Sequence, residues 1–414
     1  MNRSENVTVK QVGNMTFMRC AAALLIVFLM SGCWNRRELN ELSVVLAMGI
    51  DYKDDQYMVT VQVVDPSQMS RNRAAERSPT HVYTEKAATI FEALRKVTTQ
   101  SSRKLYFSQM LLLLFDEDVA RSGIKEPLDF LFRDHEVRPD FNIAVARGRS
   151  AKDIMSFVTP MEVLPAMDLY KSLRVSEKAW APTAAVNVKT IMENLTKKGI
   201  EPVLTGLTLE GDIEKGMLGE NIKQPLTYAN FKFKGIGIFR DDRLIGWLND
   251  SDSKSFSYIT NHVSNTVSYV KCPRSNGVFN VEVKQAKVKA VPIMKAGKPF
   301  VNLNVFIEAN VAEVQCELDL TDEAIFLAMQ TNASEKLKQI IANGIHHVQD
   351  TYGVDIYGFG ELFHRKYPTY WHQQVEEWDH IFSNLPVEVT MNYKLRKFGK
   401  IISPIANNPR QDKE

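Results

Sequence analysis

A change of period between residues 301 and 348 constrains this chain more than any other feature. Val301, Leu303, Val305, Ile307, Ala309 and Val311 are apolar at every second position, the repeat of a strand with one buried face. Ile325, Met329, Ala333, Leu337, Ile341, Ile345 and Val348 then follow at helical spacing, the stripe of a long amphipathic helix. Two neighbouring elements that each bury one face are satisfied by covering each other, which implies an α+β architecture. Beyond Glu313 the apolar set moves to Val314, Cys316 and Leu318, so a bulge or a change of partner surface is expected near Ala312. Thr321 can cap the helix, Asp322 and Glu323 complement its positive end, and Leu320 can staple against Ile325. Gly353 is a fitting stop. The stripe allows one helix of roughly 48 Å, or a break at Asn332 with a restart at Ser334. Val387, Val389, Met391, Tyr393 and Leu395 alternate as a last strand.

The first half mixes the same two periods. An apolar segment from Ser43 to Asp51 ends in a polar turn at Lys53-Asp54-Asp55, and Tyr57, Val59, Val61 and Val63 alternate with Met58, Thr60 and Gln62, which reads as a hairpin with one half-buried strand. Asp51, Asp54 and Asp55 lack the one-in-two spacing and distal glutamate of a calcium loop. The polar residues 65–79, with Arg71, Arg73 and Arg77, read as an exposed loop that could also meet lipid headgroups. Ala87 to Gln100 reads as a helix with Ile90, Phe91, Leu94 and Val97 on one face. The nearly continuous apolar run from Lys104 to Phe115 reads as a central strand covered on both faces. Phe141 to Ala146 adds a strand, and Ser150 can cap a helix from Ala151 to Phe157. Five glycines between Thr196 and Pro225 suggest irregular structure or a domain junction. At 44% hydrophobic and 24% charged the composition is that of a globular protein. The expected organisation is multi-domain, with mixed, largely antiparallel sheets and packed helices. It comprises a leader (1–32), an N-terminal α/β domain (33–150) and a middle α/β domain (151–272, with the Gly-rich stretch 196–225). An α+β domain (273–400) holding the long helix and a polar tail (401–414) complete it.

The leader is legible by itself. Thirteen uncharged residues, Cys20 to Gly32, separate Arg19 from Cys33, whereas a membrane-spanning helix needs about 20. Basic residues, a short apolar run and small Ser31-Gly32 before Cys33 match a bacterial lipoprotein signal, with Met1, Met15 or Met18 as the start. The Cys33 thiol would accept a diacylglycerol and become the first residue after cleavage, and two acyl chains anchor stably where one does not. Cleavage removes three basic residues and one acid, leaving 51 − 3 = 48 positive against 49 − 1 = 48 negative charges. A neutral chain argues against a nucleic-acid partner. Cys272 and Cys316 could bridge in an oxidising exterior, although an isolated pair is a weak signal and Cys316 on an apolar strand face needs no partner.

Catalytic apparatus is not found. Metalloprotease helices, phosphate loops and nucleophile elbows are missing from the sequence. Ser101-x-x-Lys104 and Ser251-x-x-Lys254 lack the companion motif of penicillin-interacting enzymes. His346 and His347 cannot face one ligand from one helix, so no metal is expected. Gly235-Ile236-Gly237 lacks the third glycine of a dinucleotide loop and marks a bulge or close backbone packing. No enzyme and no cofactor are implied.

The residues resemble one family throughout. Cys33-Trp34-Asn35-Arg36-Arg37-Glu38-Leu39 with Gly49-Ile50-Asp51 is similar to the mature start of the Ger(x)C lipoproteins, the C subunits of spore nutrient germinant receptors. Gly123-Ile124, Asp129-Phe130, Arg133-Asp134, Gly237-Ile238-Phe239 and Leu244-Ile245-Gly246-Trp247-Leu248 continue the likeness. Asp355-Ile356-Tyr357-Gly358-Phe359-Gly360, Tyr367-Pro368, Trp371, Trp378 and a strand ending at Gly399 carry it through the C-terminal block. Gln109 departs from the histidine of many members. The resemblance implies three mixed α/β domains and lipid attachment to the outer face of the spore inner membrane. It also implies assembly with two integral-membrane subunits, A and B, without catalysis. Trp34, Arg36 and Arg37 are candidate membrane-proximal residues, with packing of Trp34 into the first domain as the equal alternative. A substrate-binding lipoprotein of an importer is the rival reading, and a lipid-anchored cell-wall enzyme the third.

Overall fold

The structure is a computed structural model that describes residues 41–65 and 78–396. The leader, Cys33, Trp34, Arg36, Arg37, the Arg71-Arg73-Arg77 stretch, Gly399 and the polar tail lie outside the described residues. Among the described residues a nine-stranded sheet precedes a four-stranded one, both within the unit that begins at Ser43.

The first sheet grows outward from a parallel centre. Strands β1 (Leu42–Lys53), β2 (Gln56–Val64) and β3 (Thr80–Ala87) form an antiparallel meander. Asp54 and Asp55 both have positive φ, 56° and 58°, the turn that matches strand twist. The apolar run expected as one strand is divided. β4 (Lys104–Tyr106) pairs with β1 at the side, a turn donates from Met110 N to Phe107 O, and only β5 (Leu112–Asp116) lies at the sheet's centre. Helices α1 (Ile90–Val97), α2 (Glu117–Ser122) and α3 (Lys125–Arg133) flank these strands. β6 (Asn142–Ala146) and β7 (Val203–Gly211) run parallel to β5, and β8 (Ala229–Arg240) and β9 (Arg243–Trp247) close the sheet antiparallel. β7 thus occupies the centre of the glycine-rich stretch read as irregular structure or a domain junction. Its residues Val203 to Leu209 are buried, and burial, not local glycine content, decides the conformation.

Both faces of this sheet are covered, as expected for β5. Leu113 and Phe115 face one core, while Leu112 and Leu114 face a second one built with α4 (Ala151–Ser156) and α5 (Pro165–Ala179). Ser150 caps α4 by accepting from Asp153 N, as read from sequence. The same helices bury the polar face of β2, which was read as solvent-facing. Gln62 donates to Met155 O and accepts from Ala166 N, so one amide serves two helix termini at a place where water is excluded. On α1 the buried face is Ile90, Ala93, Leu94 and Val97, whereas Phe91 is exposed and packs on Phe130. Helices α6 (Val188–Thr196) and the one-turn α7 (Ile213–Gly216) complete this half.

The second half follows its period closely. After α8 (Asp250–Ile259) come β10 (Thr266–Lys271), β11 (Val278–Lys295) and β12 (Lys298–Val314), antiparallel in that order. Val311 opposes Val281 and Glu313 opposes Asn280, leaving Ala312 as the extra residue of a bulge where the pattern shifts. Helix α9 (Glu323–Thr351) is continuous for 29 residues. No break occurs at Asn332, whose side chain donates to Lys271 O. Its cap is Asp322, which accepts from Ala324 N, while Thr321 turns back to Asp319. Gly353 ends it at φ +61°, donating to Val348 O. The last strand, β13 (Val387–Arg396), lies parallel to β12, because α9 to α12 carry the chain back across the sheet. Helices α10 (Phe359–Lys366), α11 (Pro368–Gln374) and α12 (Trp378–Ser383) form that return.

One hydrophobic core runs without interruption from the first sheet through α8 and α9 into β10 to β13. Against α9, Gly344 lets α8 come so near that an added Cβ would stand 2.4 Å from Ser255 Cβ. Cys272 and Cys316 are joined by a disulfide, although the apolar face of Cys316 alone gave no reason to expect it. It fastens the end of β10 to the end of β12 across β11, spanning 44 residues of sequence. Replacing both cysteines by serine should lower unfolding stability by about 2–4 kcal/mol, read from urea denaturation, with reducing agent shifting the wild type alone.

Candidate functional site

Several of the sequence blocks singled out above, Asp355–Gly360, Trp371, Trp378, Gly123-Ile124 and Trp247 among them, converge where the two sheets meet. Asp355 is 1% exposed. Its Oδ1 accepts from Tyr357 N at 3.0 Å and Gly358 N at 2.9 Å, and its Oδ2 from Gly360 N at 2.7 Å and Trp378 Nε1 at 3.1 Å. Burial pushes this carboxyl up to about 6 while the donors, Gly360 N foremost, pull it down. The arrangement folds the Asp355–Gly360 segment into a compact turn, with Gly358 at φ +74°, and aims it at the loop before β7. There Gly199 and Gly360 meet backbone to backbone. A Cβ on Gly199 would stand 2.5 Å from Trp371 Cη2 and 2.9 Å from Gly360 Cα. Glu201 N donates to Asp355 O at 2.8 Å, and Lys198 pairs with Glu376.

A second set of contacts lies beside the first. Arg240, at the tip of the β8–β9 hairpin, donates to Tyr352 O at 2.8 Å and sits 3.9 Å from Asp379. Trp247 donates from Nε1 to Glu117 Oε1 at 3.0 Å, lies under the Arg147 guanidinium at 4.5 Å, and accepts through its carbonyl from Tyr352 Oη at 3.1 Å. Gly123, Ile124 and Lys125 pack on the same hairpin, with Ile124 N donating to Asp242 O and Lys125 N to Asp242 Oδ2. Asp129 and Arg133 form a surface ion pair outside this junction, and Gln109 stands in an exposed turn between β4 and β5.

The junction supports adhesion between its two halves more readily than chemistry. Lys104 pairs with Glu136 and Lys254 donates to Val267 O at 2.9 Å, so neither Ser-x-x-Lys lysine is turned to its serine. His347 contacts Asp252 at 2.6 Å. Among the described residues no cluster of His, Cys, Asp or Glu could hold a metal ion, and no helix is long and apolar enough to cross a membrane. Asp51, at the end of the apolar segment read from Ser43, is a buried strand residue whose carboxylate accepts from Ala151 N at 2.7 Å and Lys152 N at 3.1 Å. Burial raises it to about 6, with Asp116 on the neighbouring strand adding repulsion. Glu201 carried no signal in the sequence, yet burial, with Asp241, Asp379 and Asp355 nearby, lifts its carboxyl to about 7.

Both halves of the chain match known families in the order in which they meet here. Residues 35–209 match the spore germination protein N-terminal domain, and residues 234–399 match the "Spore germination B3/GerAC like, C-terminal" family. The chain belongs to the Ger(x)C family of spore germination proteins. It is 28% identical to spore germination protein KC of Bacillus subtilis strain 168 over 397 residues, covering 94% of this chain and 97% of that protein. Similarity to spore germination protein B3 of the same organism is 23% over 399 residues, covering 93% and 100%. The crystal structure of the GerBC protein superposes with a TM-score of 0.54 at 19% identity, over 84% of this chain and 96% of that one, which shows the shared fold. Of the Ger(x)C residues quoted from the C-terminal half, Asp355–Gly360, Trp371 and Trp378 are buried at this junction.

Two measurements test the account of the junction. Asp355→Asn turns an amide toward Gly360 N and Trp378 Nε1, leaving two buried donors unsatisfied, and should cost about 2–4 kcal/mol of stability. Glu201 binds its proton near pH 7 when folded, against an ordinary glutamate value of 4.5. Its contribution is therefore fully present below the unfolded value and is lost as pH rises through the folded one. Glu201→Gln should flatten the fall in denaturation midpoint between about pH 5 and about pH 8.

Proposed function

We propose that this Ger(x)C chain is the lipid-anchored C subunit of a spore nutrient germinant receptor. It would be held on the outer face of the spore inner membrane through a diacylglycerol on Cys33 and assembled with the integral-membrane A and B subunits. The observation that carries the reading is the pair of spore germination family matches, spanning residues 35–209 and 234–399 in order. Three further points support it. The apolar run before Cys33 is shorter than a spanning helix and ends in small residues. The Cys272–Cys316 bridge suits an oxidising compartment. Trp34, Arg36 and Arg37 follow the acylated cysteine directly, where an indole and guanidinium groups find partners among headgroups.

The subunit acts by assembly, without catalysis. An importer's binding lipoprotein would enclose its ligand between two lobes, whereas here one core continues from the first sheet into the second. A tag placed after Pro409, with spore membranes solubilised in mild detergent, should recover two polytopic subunits by mass spectrometry, in smaller yield from Cys33→Ala. Recovery of a transporter permease and its ATPase would instead assign the chain to an importer.

A further inference from the structure

Five aliphatic side chains stand in water on two neighbouring loops: Met161 is 84% exposed, Val163 68%, Leu218 53%, Ile222 50% and Leu226 82%. Met161, Val163 and Ile222 line a groove of about 770 Å³ whose far wall is Thr80 and Val82 of β3. Three exposed apolar side chains gathered round one groove mark an interaction site, unlike single exposed leucines.

The exposure is held in place from below. Asn221 is fully buried, donates to Val158 O at 2.9 Å and Ala229 O at 3.3 Å, and accepts from Ala229 N at 3.1 Å. Val158 N donates to Gly216 O, so the two loops are stitched together at their roots. Thr159 Oγ1 donates to Glu162 O within the first loop. The charges among the tips are paired, Glu162 with Lys171 at 2.6 Å and Glu220 with Lys223 at 3.4 Å. Among the described residues, the five side chains that project furthest from these two loops are apolar and non-aromatic, unlike the rings and guanidinium groups that anchor protein interfaces.

The sheet register says which end of the molecule this is. Val44, near the start of β1, pairs with Val64, and Val64 pairs with Thr80 in the groove wall. The β3 wall of the groove therefore lies at the strand end where the chain enters the fold, two strand spacings or about 10 Å from β1, and the second loop reaches over the groove from Gly211, at the opposite end of the parallel strands. Only 42 − 33 = 9 Cα-to-Cα steps separate Cys33 from Leu42, a leash of at most ~32 Å. An anchor on Cys33 keeps this end, rather than the Lys53 end of β1, near the bilayer.

We propose that the aliphatic rim formed by Met161, Val163, Leu218, Ile222 and Leu226 rests in the headgroup and acyl boundary of the lipid bilayer to which the chain is anchored. The proposal rests on the lipid-anchor reading of Cys33. A bilayer takes up protruding aliphatic side chains without requiring matched shape, to a depth of roughly 5–10 Å. With the anchor supplying affinity, the rim supplies orientation: it sets the sheet on its entry end and fixes which surface points away from the lipid.

The test uses the full chain with Cys20→Ser, made in a host that processes lipoproteins and reconstituted in phosphatidylglycerol vesicles with chain-brominated lipids. A nitrobenzoxadiazole fluorophore is placed at Met161→Cys, or at Lys53→Cys on the opposite end of β1. Intact mass of the same samples reports diacylglycerol on Cys33. Quenching at position 161 at least about twofold above position 53, lost on adding Val163→Asp and Leu226→Asp, is the expected result, because burial at the acyl boundary separates the two positions. Equal quenching with the lipid mass present overturns the rim alone, as does quenching at neither position with position 161 crosslinking to a receptor subunit in spore membranes. Absence of the lipid mass overturns the anchor reading and the orientation with it.

Discussion

The buried carboxylate of Asp355 is the interaction on which the arrangement of the two sheets depends. An acid with no water around it is costly unless its oxygens are satisfied, and here every donor comes from the segment that follows it or from Trp378. The turn so formed presents Gly360, a residue with no side chain, to Gly199 on the loop that feeds β7. Close approach of two backbones then brings Trp371 and Trp378 over the contact, with ring centres 5.3 Å apart. The polar knot and the aromatic cover are one construction, since the indole that packs also donates the fourth hydrogen bond.

Elements with a strong period were legible in the sequence to within a residue or two. The strand, bulge at Ala312, long helix and stop at Gly353 all follow from side-chain spacing, because each has one face in the core and one outside. Where both faces are buried, period loses its meaning. β7 and the polar side of β2 were misread for that reason: Thr205 and Gln62 are polar residues serving buried backbone groups, as in the bond from Ala184 N to Thr205 Oγ1. The cap of α9 fell one residue from its expected place because Asp319 captured the Thr321 hydroxyl.

The junction was legible as a set of blocks and not as a place. Asp355–Gly360, Trp371 and Trp378 stood out by their likeness to the Ger(x)C family, but nothing local tells that Gly199 lies opposite Gly360 or that Tyr352 reaches the carbonyl of Trp247. Glu201 was invisible, since its unusual carboxyl arises only when the fold buries it and brings three other acids near. The exposed rim had a faint signature in the prolines that bracket Met161-Glu162-Val163-Leu164, whose rigid turns lift side chains away from the sheet.

The uninterrupted core has a mechanical meaning. A protein built as two bodies on a hinge answers a stimulus by changing the angle between them, and the hinge must be a seam where few atoms touch. Here the seam position is filled by a disulfide-braced sheet, a 29-residue helix and two glycines in backbone contact. Changing the angle between the two halves would break those contacts. On the subunit reading proposed above, such a chain acts as a strut whose footing, rather than its form, is what a signal would alter.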